Sequence, residues 1–173
     1  MDFPQCRFDM SDTSLPDSTQ RVANALRTLG HAHMPRMLTD SARTAQQAAD
    51  SLGVSVGQIA KSIIFRRKSD GMAVLVITAG DKRVDEAKVA VQVGPIGRAD
   101  ADFVRAQTGF AIGGVPPLAH TQKPVTLIDR SLLRFDILWA AAGHPHAVFS
   151  LVPQDLALLT GGAPVADVTE EVV

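Results

Sequence analysis

The stretch QIAKSIIFRRKSDGMAVLVIT (residues 58–78) decides the fold. Its run Ser62-Ile63-Ile64-Phe65 is β-branched and aromatic and predicts a strand; KSDG (68–71) supplies an Asp-Gly turn, and MAVLVIT (72–78) returns as a second strand. A strand with one wet face alternates apolar and polar residues. MAVLVIT does not alternate, so it is expected at the centre of a sheet, covered on both faces.

The covering layers are legible on either side. Upstream, Val22, Ala25, Leu26 and Leu29 recur at helical spacing from Ser18 until Gly30 stops them. Residues 32–38 follow as a short strand, which Pro35 assigns to a sheet edge. Thr44 and Gln47 form a capping box, with Ala45, Ala48, Ala49 and Leu52 on one helical face and Gly53 as the stop. Residues 56–60 make a turn or short helix leading into the hairpin. Downstream, helices are expected over 85–92 and 100–107, a Gly- and Pro-rich loop over 109–119, and strands over 125–129, 137–141 and 147–152. Pro153 opens a last helix that Gly161 and Gly162 close, and 165–168 reads as a final strand. Residues 1–16 lack periodicity and read as a mobile N-terminal tail before one domain over 17–173. The expected class is α/β (α+β), a mixed sheet with short helices packed around it.

Composition excludes several functions. At 173 residues, 46% hydrophobic and 20% charged, the chain suits one domain with a buried core. No apolar run approaches the roughly 18 residues of a membrane span, and the N-terminus lacks a signal-peptide pattern. The single cysteine, Cys6, allows no internal disulfide, so a cytoplasmic location is expected. The net charge of −1 excludes a broadly basic nucleic-acid binder. Between Lys61 and Lys88, however, seven cationic side chains face four carboxylates, either a local phosphate-binding stretch or a solvated hairpin edge.

There is no GxSxG elbow, no phosphate-binding GxxxxGK[ST] and no GxGxxG. His144 and His146 are the one close histidine pair. Pro145 between them marks a turn and no carboxylate follows, so no metal site is assigned. Three features carry a signal. Lys61 enters an apolar strand, where it must either snorkel to solvent or project into a cleft that holds an anion. The loop TGFAIGGVPPL (108–118) combines permissive Gly113–Gly114 with rigid Pro116–Pro117. It is either a surface turn or a cradle of main-chain N–H groups for a carbonyl or phosphate oxygen. Asp129 ends the apolar run VTLID, facing a pocket or capping the turn that follows.

Taken in order, GVSVGQIAKSIIF, VLVITAGDKRVDEAKVA, TGFAIGGVPPLAH, VTLIDRSLL and the late LTGG resemble the YbaK-type aminoacyl-tRNA deacylases. These group with the editing domain of bacterial prolyl-tRNA synthetases. The resemblance runs from about Ser18 to Val168. It implies a barrel-like mixed sheet and hydrolysis of the ester of mischarged tRNA. The implied substrate is tRNA for proline carrying a small wrong amino acid such as Cys or Ala. Implied partners are the tRNA acceptor end and a synthetase; no cofactor and no membrane partner are implied. Lys61 stands where the family's functional lysine meets phosphate. Gly113 and Gly114 match the loop that holds the ester, Asp129 the strand-end aspartate, and Thr44 a segment bordering the cleft. Ile112, Val115 and Pro116 fall on the same loop as the glycines. His144 and His146 lie where family members differ, and one of them is expected either to reach the ester or to shape the pocket for the amino acid.

Overall fold

The computed structural model describes residues 15–39 and 42–171. The chain runs α1 (Asp17–Thr28), β1 (Arg36–Met37), α2 (Ala45–Leu52), β2 (Ile59–Arg67), β3 (Ala73–Ala79), α3 (Glu86–Val93), β4 (Ile96–Arg98) and α4 (Ala101–Thr108). It continues through β5 (Val125–Asp129), β6 (Leu138–Ala141), β7 (Ala147–Leu151), α5 (Asp155–Leu159) and β8 (Val165–Ala166). Short 3-10 turns at Val56–Gln58 and Arg130–Arg134 lead into β2 and out of β5.

Among the described residues, eight strands make one mixed sheet in the order β1-β7-β6-β2-β3-β5-β8, with β4 also on β2. The β2–β3 hairpin is its axis. The two strands pair without a break from Ala60↔Ala79 to Arg66↔Ala73, and all seven residues of β3 are buried. That burial follows from the missing alternation. Leu75 and Ile77 enter one apolar cluster with Val22 and Leu26 of α1 and Leu156 and Leu159 of α5. Val74 and Val76 enter another with Phe65, Val89 of α3 and Leu127. A third cluster seats Ala48 and Ala49 of α2 on Ile59 and Trp139.

The helices form where their end signals lie. Thr44 Oγ1 accepts from Gln47 N–H at 3.1 Å, and Gly53 ends α2 at φ 70°. Asp85 and Asp100 cap α3 and α4. Two expectations need correction. The strand expected over 32–38 shrinks to Arg36–Met37, because Pro35 has no N–H to pair and only Arg36 and Met37 meet β7. Residues 96–98, for which no element was expected, form β4 against Phe65–Arg67; Gly94, Pro95 and Gly97 around them carry no strand pattern. Of the expected tail, residues 1–14 lie outside the described residues; Pro16 stands immediately before α1.

Candidate functional site

Side chains alternate along β2, so Ile59, Lys61, Ile63 and Phe65 share one face of the sheet. On that face α2 covers Ile59 and α3 covers Phe65. Lys61 is therefore the residue left between the two helical covers. It lines a cleft of about 250 Å³ and also a neighbouring groove floored by Ile63 and Phe65 and edged by Arg83, Glu86 and Glu170. Burial pushes the Lys61 ammonium below the ordinary lysine range, opposed by the charge of Asp81. Asp81 does not neutralise it closely, because its carboxylate is gripped by Arg134 at 2.7 and 3.1 Å. Among the described residues, no carboxylate makes an ion pair with Lys61.

The cleft forms where β2 and β6 separate. They run parallel and pair at Ile59↔Trp139 and Ala60↔Ala140, after which β6 ends and the chain turns through Gly143 and Pro145 into β7. One wall is Lys61, Ser62 and Ile63; another is Trp139 to Ala141 with Pro145; Arg43 and Thr44 close one end and Ile112, Gly113 and Val115 another.

The glycine pair divides. Gly113 is exposed at φ 90°, and among the described residues its N–H makes no hydrogen bond. Gly114 is buried; its N–H donates to Ala111 C=O at 3.0 Å and its C=O accepts from Gly143 N–H at 2.9 Å. A Cβ on Gly114 would stand 2.9 Å from the His144 nitrogen. Gly114 thus lets the loop rest on the turn at 143–144, and its N–H is not available as a cradle. Behind the loop, His120 Nε2–H donates to Pro116 C=O at 2.7 Å, so buried Pro116 is a brace and not a cleft wall.

Structure brings Lys61, Gly113, Thr44, Ile112 and Val115 together in the cleft. It does not bring Asp129, which is 1% exposed and borders a separate hollow with Lys82 and Arg134. The Asp129 carboxylate accepts from Ser131 N–H and Val168 N–H, each at 3.0 Å, from the Ser131 hydroxyl and from Thr169 Oγ1. Of the two sequence readings, the capping one describes its contacts: it ties β5 to the C-terminal segment. His144 and His146 also stand behind the cleft wall. His144 Nδ1 accepts from His146 N–H at 3.1 Å, and His146 C=O accepts from Leu38 N–H at 2.7 Å, while Pro145 faces the cleft.

The basic stretch disperses as well. Arg67 pairs with Asp70 at 2.6 Å, Arg83 with Glu170 and Lys88 with Asp167. Arg67 holds the Asp70 carboxyl at about 2. Sequence reasoning passed over Arg43, Ser62 and Trp139, the last with Arg36 stacked 4.6 Å from its ring centre. Their one available signal was nearness to Thr44, to Lys61 and to the start of the expected strand at 137–141.

Comparison with known proteins shows the family. The aminoacyl-tRNA editing domain matches residues 39–159. A crystal structure described as a candidate trans-editing enzyme for prolyl-tRNA synthetase is 42% identical, with a TM-score of 0.85 over 91% of this chain and 100% of that one. The uncharacterized protein YwhH of Bacillus subtilis is 37% identical over 117 residues, 67% of this chain and 74% of its own. EbsC of Enterococcus faecalis, named as a candidate Cys-tRNA(Pro)/Cys-tRNA(Cys) deacylase, is 25% identical over 83% of this chain and 92% of its own. The chain belongs to the aminoacyl-tRNA editing domain family.

Proposed function

We propose that this protein is a free-standing deacylase that hydrolyses the ester of mischarged tRNA, with tRNA for proline carrying a small wrong amino acid as its substrate. One observation carries the reading: Lys61 and the open Gly113 N–H line the same cleft, Lys61 has no ion-pair partner among the described residues, and no cysteine or histidine is among the described residues that line it. Such a site suits a substrate that is already activated. Water attacks the ester carbonyl, charge develops on its oxygen, and the 3′-oxygen of the terminal ribose leaves with a proton. Products are the free amino acid and the tRNA.

Catalysis then rests on orientation and on donors aimed at the developing oxyanion, for which the Gly113 N–H is the candidate. Lys61 holds a phosphate of the acceptor end. A phosphate there supplies the opposite charge that Asp81 provides only at a distance, and restores the ammonium against its burial. At about 250 Å³ the cleft lies below the roughly 300–1,000 Å³ of drug-sized pockets, which favours a small aminoacyl group. Selection by size is what an editing site needs, since one methylene gives a synthetase only about 10- to 200-fold discrimination. The names of the relatives support proline tRNA as the carrier, and a synthetase as the partner that retains it.

The test is deacylation of a panel of mischarged tRNAs by wild type and Lys61→Ala, with and without prolyl-tRNA synthetase. Hydrolysis of small aminoacyl esters on proline tRNA, lost in the variant, is expected. A wild-type protein that hydrolyses none of them under either condition would exclude the deacylase.

A further inference from the structure

The open edge of β2 has a definite polarity. Arg67 N–H donates to Met72 C=O, so the main-chain groups of Arg67 point toward β3. Lys68 N–H donates to Pro95 C=O, so those of Lys68 point the other way, toward β4. The β2–β3 register is continuous, without a bulge, down to Ala60, so the alternation carries back along the strand. Lys61 and Ile63 point to β3. Ala60, Ser62 and Ile64 point to the side shared by β6 and β4.

On that side Ala60 is taken by β6, and pairing resumes at Phe65 with β4. The facing strand has a fixed parity too: Ala142 N–H donates to Ala147 C=O on β7, so Ala141 points toward β2. In a parallel ladder of this parity the rung after Ala60 would join Ser62 N–H to Ala141 C=O. The ladder stops one step short of it. Ser62 and Ala141 both line the cleft, and among the described residues neither the ladders of β2 nor the bonds outside them engage the Ser62 main chain.

We infer that this unmade rung is the seat of the substrate's aminoacyl group, which docks on Ser62 as a one-residue strand. The inference rests on the deacylase reading above and names how that site recognises its substrate. A strand residue shows its N–H and C=O to the same side, and an aminoacyl ester carries its α-ammonium and carbonyl oxygen at matching spacing. The ester carbonyl accepts from Ser62 N–H through one lone pair, which leaves the other for the Gly113 N–H. The α-ammonium, with three donors, gives one hydrogen bond to Ser62 C=O and a second to Ala141 C=O. This contact is blind to the amino-acid side chain, which leaves discrimination to the apolar walls, and it requires a free α-amino group.

The test compares one small aminoacyl-tRNA(Pro) with its N-acetyl form in single-turnover hydrolysis, each rate corrected for spontaneous loss. Acetylation removes the charge and two donors while leaving the ester, the side chain and the tRNA. The N-acetyl ester is expected to react at least about tenfold more slowly, the worth of one hydrogen bond to a charged group. Equal rates overturn the docking on Ser62 and leave the deacylase standing; hydrolysis of neither form overturns both. A second probe is Ser62→Pro, which removes this N–H without removing a rung to β3. With the same far-ultraviolet circular dichroism and cooperative unfolding as wild type, it is expected to lose hydrolysis. Wild-type hydrolysis by that variant also overturns the inference.

Discussion

Lys61 and Asp129 look alike in the sequence and unlike in the structure. Each is a charged residue at one end of an apolar strand, the lysine near the start of β2 and the aspartate at the end of β5. The lysine is half-buried between α2 and α3, without an ion-pair partner among the described residues. The aspartate is sealed, and its two oxygens take hydrogen bonds from Ser131, Val168 and Thr169. A buried charge with its hydrogen bonds satisfied can hold the fold together; one left half-buried without a partner among the described residues can take a ligand, which is the role proposed for Lys61. The two residues should therefore fail in opposite ways.

Removal of Lys61 gives the largest expected effect. Lys61→Ala should lower kcat/KM for mischarged tRNA by about 10- to 150-fold, as loss of a charge-assisted phosphate contact predicts, with unfolding unchanged or slightly later. Asp129→Ala should do the reverse. It strands the Val168 and Ser131 N–H groups and costs about 2–4 kcal/mol, a fall in Tm of roughly 5–12 °C, while kcat measured well below that Tm stays near wild type. Loss of catalysis in a well-folded Asp129→Ala protein would break the comparison and bring the aspartate back to the site.

Why the sequence could not separate them is a matter of distance along the chain. Asp129 is satisfied by Val168 and Thr169, 39 and 40 residues away. Lys61 is left open by the places where α2 and α3 stop, which local pattern does not encode. What is local was legible: the hairpin from its Asp-Gly turn, β3 from its missing alternation, α2 from its capping box. Gly113 and Gly114 mark the limit of motif transfer. They sit side by side in one loop, yet one N–H is open and its neighbour's is engaged by Ala111. Ser62, Arg43 and Trp139 were invisible as site residues because the parting of β2 from β6 selects them, and that is a property of the sheet.

Gly114 sharpens the same contrast at the loop. Its open φ asks nothing special of the residue, but an added Cβ meets the backbone of 143–144 at 2.9–3.1 Å. Gly114→Ala should therefore act through packing, costing about 1–3 kcal/mol and lowering activity together with Tm. Gly113→Ala has room, since the nearest atom to its Cβ would be Pro145 Cγ at 3.9 Å, and its cost is the backbone strain of an L side chain at a φ of 90°. Activity lost from Gly114→Ala with Tm unchanged would restore Gly114 as a direct ester contact.

The smallest expected effect tests whether Lys61 costs the fold something. Its pKa in the folded protein lies below the 10.5 of the exposed side chain, with burial as the cause. Between those two values the unfolded chain binds more protons than the folded one, so stability from this group rises with pH across that window. Below the window the buried charge is a penalty, which Lys61→Met removes. The variant should melt about 1–2 °C higher near neutral pH, a modest figure because solvent screens a half-exposed ammonium, and the gain should shrink as pH approaches 10.5. Binding runs the other way. Affinity of wild type for uncharged proline tRNA should fall as pH rises through the lowered lysine value, and that fall should be absent in Lys61→Met. If both proteins lose affinity over the same pH range, the titrating group is elsewhere and the phosphate contact does not belong to Lys61.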